Sequence, residues 1–287
     1  MMRRLLKWAL CLALISAATF AALPLFERGL LYPFDPRQVA PVEAALPNVT
    51  HHQLTSSTGK SLVIWAATPA PGQPVIFYLH GNAGNLSNRA GRFKHFLNRG
   101  YGLVALAYPG SSGSAGWPSE DALMQAANTT FEAMHPTTGA LRAVAGDAPV
   151  VLYGESLGAA VGINLLSDIL TSKPGHTAPT ALILEAPFTS LSAMVQRHYP
   201  ALSSLQAIAP SQWNVLPKIA ELHAPLLVLH GTDDPLTPIE MGRQIHAAAP
   251  SQNKVFVAAQ GAQHLDLWRS DTLPQIWHFI DRYAAFK

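Results

Sequence analysis

The chain has 287 residues, of which 49% are apolar, with a formal charge of +2 and one cysteine. That length and composition suit one large α/β domain with a substantial core and exclude a largely disordered chain. A near-balanced charge without a basic stripe between aromatics argues against a nucleic-acid partner, and the lone Cys11 excludes an internal disulfide.

At the N-terminus, Arg3, Arg4 and Lys7 precede an uncharged run over 8–26. That run matches the length of a bilayer-spanning helix. Positive charge on its leading side predicts a cytoplasmic N-terminus and an exported body. The expectation is a single-pass anchor over 1–27; the alternative is a signal peptide cut near Ala17, Ala18, Ala21 or Ala22, giving a secreted or periplasmic protein. Cys11 follows a bulky Leu10 and does not read as a lipidation site. Pro24 and Pro33-Phe34-Asp35-Pro36 read as a stiff connector within 28–48, leaving 49–287 as the main folded domain.

The stretches 49–54 and 61–65 suggest an antiparallel pair turning at Thr58-Gly59. Short apolar runs follow at 75–79, 103–107, 150–153, 181–185, 226–229 and 255–258. Helical patterns separate most of them, at 86–98, 119–134, 156–170, 239–248 and 270–283. This alternation predicts a mostly parallel sheet of about eight strands with helices on both faces. Thr237-Pro238-Ile239-Glu240 reads as a capping box at the start of a helix.

The most informative motif is Gly154-Glu155-Ser156-Leu157-Gly158, between the apolar strand at 150–153 and the small residues Ala159, Ala160 and Gly162. A strand, a sharp turn and a helix lift the serine hydroxyl clear of the sheet, where a base can reach it. Side chains on either glycine would collide with neighbouring backbone. A serine needs such a base to become nucleophilic. His264 lies in the loop Gly261-Ala262-Gln263-His264 after the last strand, where ligands gather in sheets of this kind. The base in turn needs a carboxylate, and the loop His230-Gly231-Thr232-Asp233-Asp234-Pro235 offers two. Adjacent residues leaving a strand point apart, so one should face His264 and the other should serve a turn. For the oxyanion, the N–H of Leu157 opens a helix. The glycine-flanked loop His80-Gly81-Asn82-Ala83-Gly84-Asn85 supplies a second donor, Asn82 or otherwise Ala83, while His80 and Asn85 read as braces of that loop.

Ser156, an aspartate and His264, in that chain order, resemble the α/β-hydrolase superfamily. His80-Gly81-Asn82-Ala83-Gly84-Asn85, Tyr108-Pro109-Gly110 and Pro118-Ser119-Glu120 are similar to the membrane-anchored serine hydrolases related to the bud-emergence proteins, also called serine aminopeptidase-like. The resemblance spans about 50–285. In that family the acid lies three residues after the glycine of the His-Gly motif, which here is Asp234 after Gly231, with Pro238 completing the pattern. The resemblance therefore implies a Ser156–Asp234–His264 triad on an α/β-hydrolase fold. The loop Gly110-Ser111-Ser112-Gly113-Ser114 departs from it, lacking a bulky residue after the first glycine.

Lids over such sites come from the region 187–224, which holds Phe188, Leu191, Met194, Tyr199, Leu205, Ile208 and Trp213. Fewer than forty residues predict a small cap, an open site and an apolar lining suited to a small-molecule or lipid-like acyl substrate. Each of these side chains can equally pack on the sheet. No metal or cofactor is expected: His51-His52 lacks the spacing of a ligand pair, and Gly110, Gly113 and Gly116 do not make a dinucleotide fingerprint. The expected protein is a monomeric ester or thioester hydrolase at a membrane. Peptide hydrolysis is the alternative and needs an acid to hold an ammonium group, for which Glu155 and Glu185 are the nearby acids. A tethered binding protein without turnover is the third reading.

Overall fold

Side chains of the central strands alternate between two buried faces, and that alternation organises the molecule. The computed structural model describes residues 8, 28–172, 177–201 and 212–284. The expected membrane-spanning run over 8–26 lies outside them except for Trp8, and among the described residues no helix is long and apolar enough to cross a membrane.

Strands β1 (Thr50–Thr55) and β2 (Ser61–Ala67) form the antiparallel pair. β3 (Val75–Leu79), β4 (Gly102–Leu106), β5 (Val150–Glu155), β6 (Ala181–Glu185), β7 (Leu226–Gly231) and β8 (Lys254–Ala259) run parallel to one another. The eight-stranded order is β1-β2-β4-β3-β5-β6-β7-β8, with β2 antiparallel to β4. In β3, Val75, Phe77 and Leu79 join one core while Ile76 and Tyr78 join the other. Burial on both faces is why these strands read as unbroken apolar runs.

A short 3-10 turn (Leu86–Arg89) leads into α1 (Ala90–Asn98), followed by α2 (Glu120–Ala133), α3 (Arg142–Ala145), α4 (Leu157–Ser172), α5 (Leu191–His198), α6 (Leu216–Ile219), α7 (Ile239–Ala248) and α8 (Leu273–Ala284). Phe93 and Phe96 of α1 and Ile276 and Phe279 of α8 cover one face. Leu123 of α2, Val161 and Leu165 of α4 and Ile245 of α7 cover the other. Asn85 starts the 3-10 turn, where its side chain accepts the Ser87 N–H at 3.0 Å. Ser119 caps α2, accepting the Ala122 N–H at 3.2 Å.

One capping expectation fails. Helix α7 begins at Ile239 with Pro238 at its cap and no side-chain cap bond. The Thr237 hydroxyl that would have capped it donates instead to Asp234 Oδ2 at 2.8 Å. A cap would need this oxygen turned to accept the first helix N–H groups, whereas the Asp234 carboxylate, a strong acceptor within reach, holds the hydroxyl turned toward itself.

The serine-rich loop after β4 is braced by its own hydroxyls. Ser114 Oγ accepts from Val63 N and donates to Ala107 O, both at 2.8 Å. Ser112 Oγ accepts from Leu86 N at 2.9 Å, with Ser112 held at φ 53°. A bulky residue at 111 or 112 would meet a buried site, since both serines are buried.

Candidate active site

The strand–turn–helix at Ser156 is as sharp as its glycines imply. β5 runs through Glu155 and α4 starts at Leu157, leaving Ser156 alone at the bend with φ 53°. That left-handed conformation is strained for a residue with a side chain. A Cβ on Gly158 would strike the Leu79 carbonyl of β3, and one on Gly154 would strike the backbone of Gly158 and Ala159. The Ser156 N–H is held by Glu185 O at 2.8 Å.

Three expected residues come together at the carboxyl ends of β5, β7 and β8. His264 Nε2 lies 3.0 Å from Ser156 Oγ. His264 Nδ1 lies 2.7 Å from Asp234 Oδ2. Asp234 Oδ1 accepts the N–H groups of Leu236 and Thr237 at 2.8 and 2.9 Å. Burial works against the charge of Asp234, but the hydrogen bonds from His264 and Thr237 outweigh it and hold the carboxyl below its ordinary range. The neighbouring Asp233 is exposed and accepts from Thr232 Oγ1, at 2.9 Å. The arrangement can pass a proton from Ser156 to His264 while Asp234 fixes the imidazole tautomer.

A cavity of about 230 Å³ opens over Ser156. Leu157 and Asn82 both line it. Ala83 turns its carbonyl to Arg89 Nη1 at 2.6 Å. The rest of the wall is mostly apolar and includes Phe188, Leu191, Met194, Tyr199 and Trp213 from the expected cap region. Leu205 and Ile208 lie outside the described residues. The wall also takes Leu30, Leu31 and Tyr32 from the stretch expected to be a connector. That stretch is packed down by specific bonds. Asn82 Nδ2 donates to Leu31 O at 3.1 Å, Trp213 Nε1 to Tyr32 OH at 3.0 Å and Asn85 Nδ2 to Asp35 Oδ2 at 2.9 Å. Phe34 also bridges Gly84 strand-fashion.

No family model matches the chain. It is 32% identical over 244 residues to lysophosphatidylserine lipase ABHD12 of Rattus norvegicus, across 77% of this chain and 59% of that protein. The chain therefore spans less than two thirds of that relative. It is 29% identical over 256 residues to the uncharacterized protein MT2364 of Mycobacterium tuberculosis, across 88% of this chain and 86% of that one. Among solved structures, the esterase Pf2001 of Pyrococcus furiosus superposes with a TM-score of 0.70 at 15% identity, covering 89% of this chain and 98% of that one. The chain belongs to the α/β-hydrolase superfamily.

Sequence reasoning missed several residues of this α/β-hydrolase that surround the three. Thr237 Oγ1 lies 3.1 Å from His264 Nδ1 as well as touching Asp234. His230 is fully buried, with Nε2 at 2.7 Å from Thr237 O and at 3.6 Å from Asp234 Oδ2. Burial pushes its imidazole below the ordinary range, so it stays neutral beside His264. A Cβ on Gly242 would strike the His230 ring, so a glycine is needed there.

Under the serine, Glu155 and Glu185 are register partners on adjacent strands. Arg89 grips Glu155 in a fork, Nη2 to Oε1 at 3.0 Å and Nε to Oε2 at 3.2 Å. Arg92 spans both acids, at 3.2 Å from Glu155 and 2.8 Å from Glu185. Tyr78 donates to Glu155 and Tyr153 to Glu185, each at 2.6 Å. Burial opposes the charge of Glu155, yet Arg92 and Arg89 leave its carboxyl far below the ordinary range. The available signal was two acids at matching strand ends with no cation beside them in sequence.

Among the described residues, no group of three or more His, Cys, Asp or Glu side chains is placed to hold a metal.

Proposed function

We propose that the protein is a serine hydrolase of carboxylic esters, thioesters included, working through an acyl-Ser156 intermediate. The observation that carries this is the continuous relay from Ser156 Oγ through His264 to Asp234, at 3.0 and 2.7 Å, beneath an apolar cavity. In this reading His264 Nε2 takes the Ser156 proton as Oγ attacks the carbonyl carbon. The backbone N–H groups of Leu157 and Asn82 hold the oxyanion, commonly the largest electrostatic contribution to such chemistry. His264 then protonates the departing alcohol or thiol. Water, activated by the same imidazole, releases the acid.

The apolar wall and the lipase relative together support a lipid-like acyl substrate. The run 8–26 supports a single-pass anchor that holds a monomer at the membrane, with the catalytic body on the exported side. Peptide hydrolysis gains no support: Glu155 and Glu185, the acids that would grip an ammonium group, are both occupied by arginines.

Ser156→Ala should keep the fold while abolishing both labelling by a fluorophosphonate probe and hydrolysis of p-nitrophenyl esters. Full-strength labelling of that variant would remove Ser156 as nucleophile. Faster turnover of aminoacyl amides than of esters by the unaltered protein would replace the ester reading with the peptide one.

A further inference from the structure

A second groove, of about 820 Å³, shares the wall residue Tyr32 with the cavity over Ser156. Arg28, Lys60 and Trp117 line it, and no carboxylate does. The Arg28 guanidinium lies 5.7 Å from the centre of the Trp117 ring. Among the described residues neither Arg28 nor Lys60 has an ion-pair partner. The indole of Trp117 is 73% exposed, and Leu30 nearby in the chain is 47% exposed. Two unpaired cations beside a large exposed aromatic make a poor free surface and a good receptor for an anion at an apolar boundary.

The position of the groove in the chain selects the anion. The uncharged run ends at residue 26, and Arg28 follows almost directly. A helix rises only about 1.5 Å per residue, so a spanning run over 8–26 leaves Arg28 at the level of the lipid headgroups. Anything that touches Arg28 shares that level. Tryptophan concentrates at this boundary, and basic side chains there are drawn to anionic lipid.

We propose that the groove formed by Arg28, Lys60 and Trp117 receives the phosphate headgroup of an anionic bilayer lipid and docks the catalytic body on the membrane face. This rests on the reading of 8–26 as an anchor. Docking there turns Leu30 and Leu31, which form part of the cavity wall over Ser156, toward the same lipid layer. An acyl chain then enters from the bilayer without crossing water.

The test uses the full chain in phosphatidylcholine vesicles carrying phosphatidylglycerol, with brominated acyl chains placed on one lipid or the other. The fluorescence difference between the unaltered protein and Trp117→Phe isolates Trp117 from the other tryptophans. Bromine on the phosphatidylglycerol should quench that difference signal at least about twofold more than bromine on the neutral lipid, and Lys60→Glu should erase the preference. Equal quenching by both lipids, or none, overturns the proposal.

Catalysis supplies a second arm. Lys60→Glu with Trp117→Ala should slow hydrolysis of a long-chain ester presented in the vesicle by about tenfold. Turnover of water-soluble p-nitrophenyl butyrate should not change. An unchanged rate on the vesicle ester also counts against docking. Failure of the underlying reading looks different: an alkaline carbonate wash would then release the unaltered full chain from the membrane, and the proposal would fall with the anchor.

Discussion

Thr237 carries two duties in the space of one side chain. Its hydroxyl donates to Asp234 Oδ2 and lies 3.1 Å from His264 Nδ1, while its N–H binds Asp234 Oδ1 at 2.9 Å. Thr237→Val should preserve the shape and the backbone bond but lose the hydroxyl. We expect kcat to fall by about tenfold with KM nearly constant, and Thr237→Ser to restore it, as steady-state kinetics on a soluble ester would measure. Asp234→Asn should cost about 10⁴-fold in kcat by favouring the wrong imidazole tautomer. Thr237 was illegible as a site residue because Thr-Pro-Ile-Glu is also how helices begin. Choosing Asp234 over Asp233 likewise needed the family pattern, since strand geometry alone says only that the two diverge.

His80 shows a different residue-scale effect. Its ring is fully buried against Phe34 and Tyr108, with Nδ1 donating to Gly81 O at 2.7 Å. Burial and the nearby charge of Arg89 push its imidazole down to about 3. An unfolded histidine titrates near 6.5, so below that pH the unfolded chain binds a proton that the folded one refuses. The part of the stability linked to His80 is therefore complete above about pH 6.5 and falls as the pH drops toward 3, by up to about 1.4 kcal/mol per pH unit. His80→Phe should flatten the dependence of Tm on pH between roughly 4 and 6, read by thermal melts in a buffer series.

At the scale of elements, the ends of β5 and β6 place two carboxylates side by side, and the 3-10 turn and α1 supply the cations, Arg89 and Arg92, that make this tolerable. Glu155→Gln would leave Arg89 and Arg92 with less than their counter-charge in a buried place. The expected cost is about 3 kcal/mol or more, seen as a lower urea midpoint at unchanged slope. Activity should fall as well, because Arg89 also ties Glu155 to the Ala83 and Asn85 carbonyls of the loop that carries Asn82. The strands themselves were plain in the sequence: runs buried on both faces are continuous and short, and the expected 75–79 and 181–185 coincide with β3 and β6. The ion-pair cluster was not, because Arg89 meets Glu155 across 66 residues and Arg92 meets Glu185 across 93. No local pattern encodes such distances.

The whole molecule is a two-faced sheet with its candidate site gathered at the carboxyl ends of the parallel strands, and most of that was readable from the order of strands and helices. What was not readable is how the chain enters it. The prolines near residue 33 suggested a spacer, yet 31–35 is bonded to the Asn82 loop and to Trp213. A protein beginning at Arg28 should keep near-normal turnover of soluble esters. One beginning at Pro36 should lose most of it, since Asn82 would lose its hold on the Leu31 carbonyl and the cavity one wall. Equal activity of the two would show that the segment is only a tether.

With the proposed anchor over 8–26, this bears on how long such a protein stays active once it is cut from a membrane. A protease that clips ahead of residue 28 would shed a working enzyme into solution. A clip a dozen residues later would shed a body of similar size and fold with little turnover left. The position of a single scission, and not the amount of protein released, would then decide whether shedding spreads the activity or ends it, and comparing probe labelling of the two fragments would measure that directly.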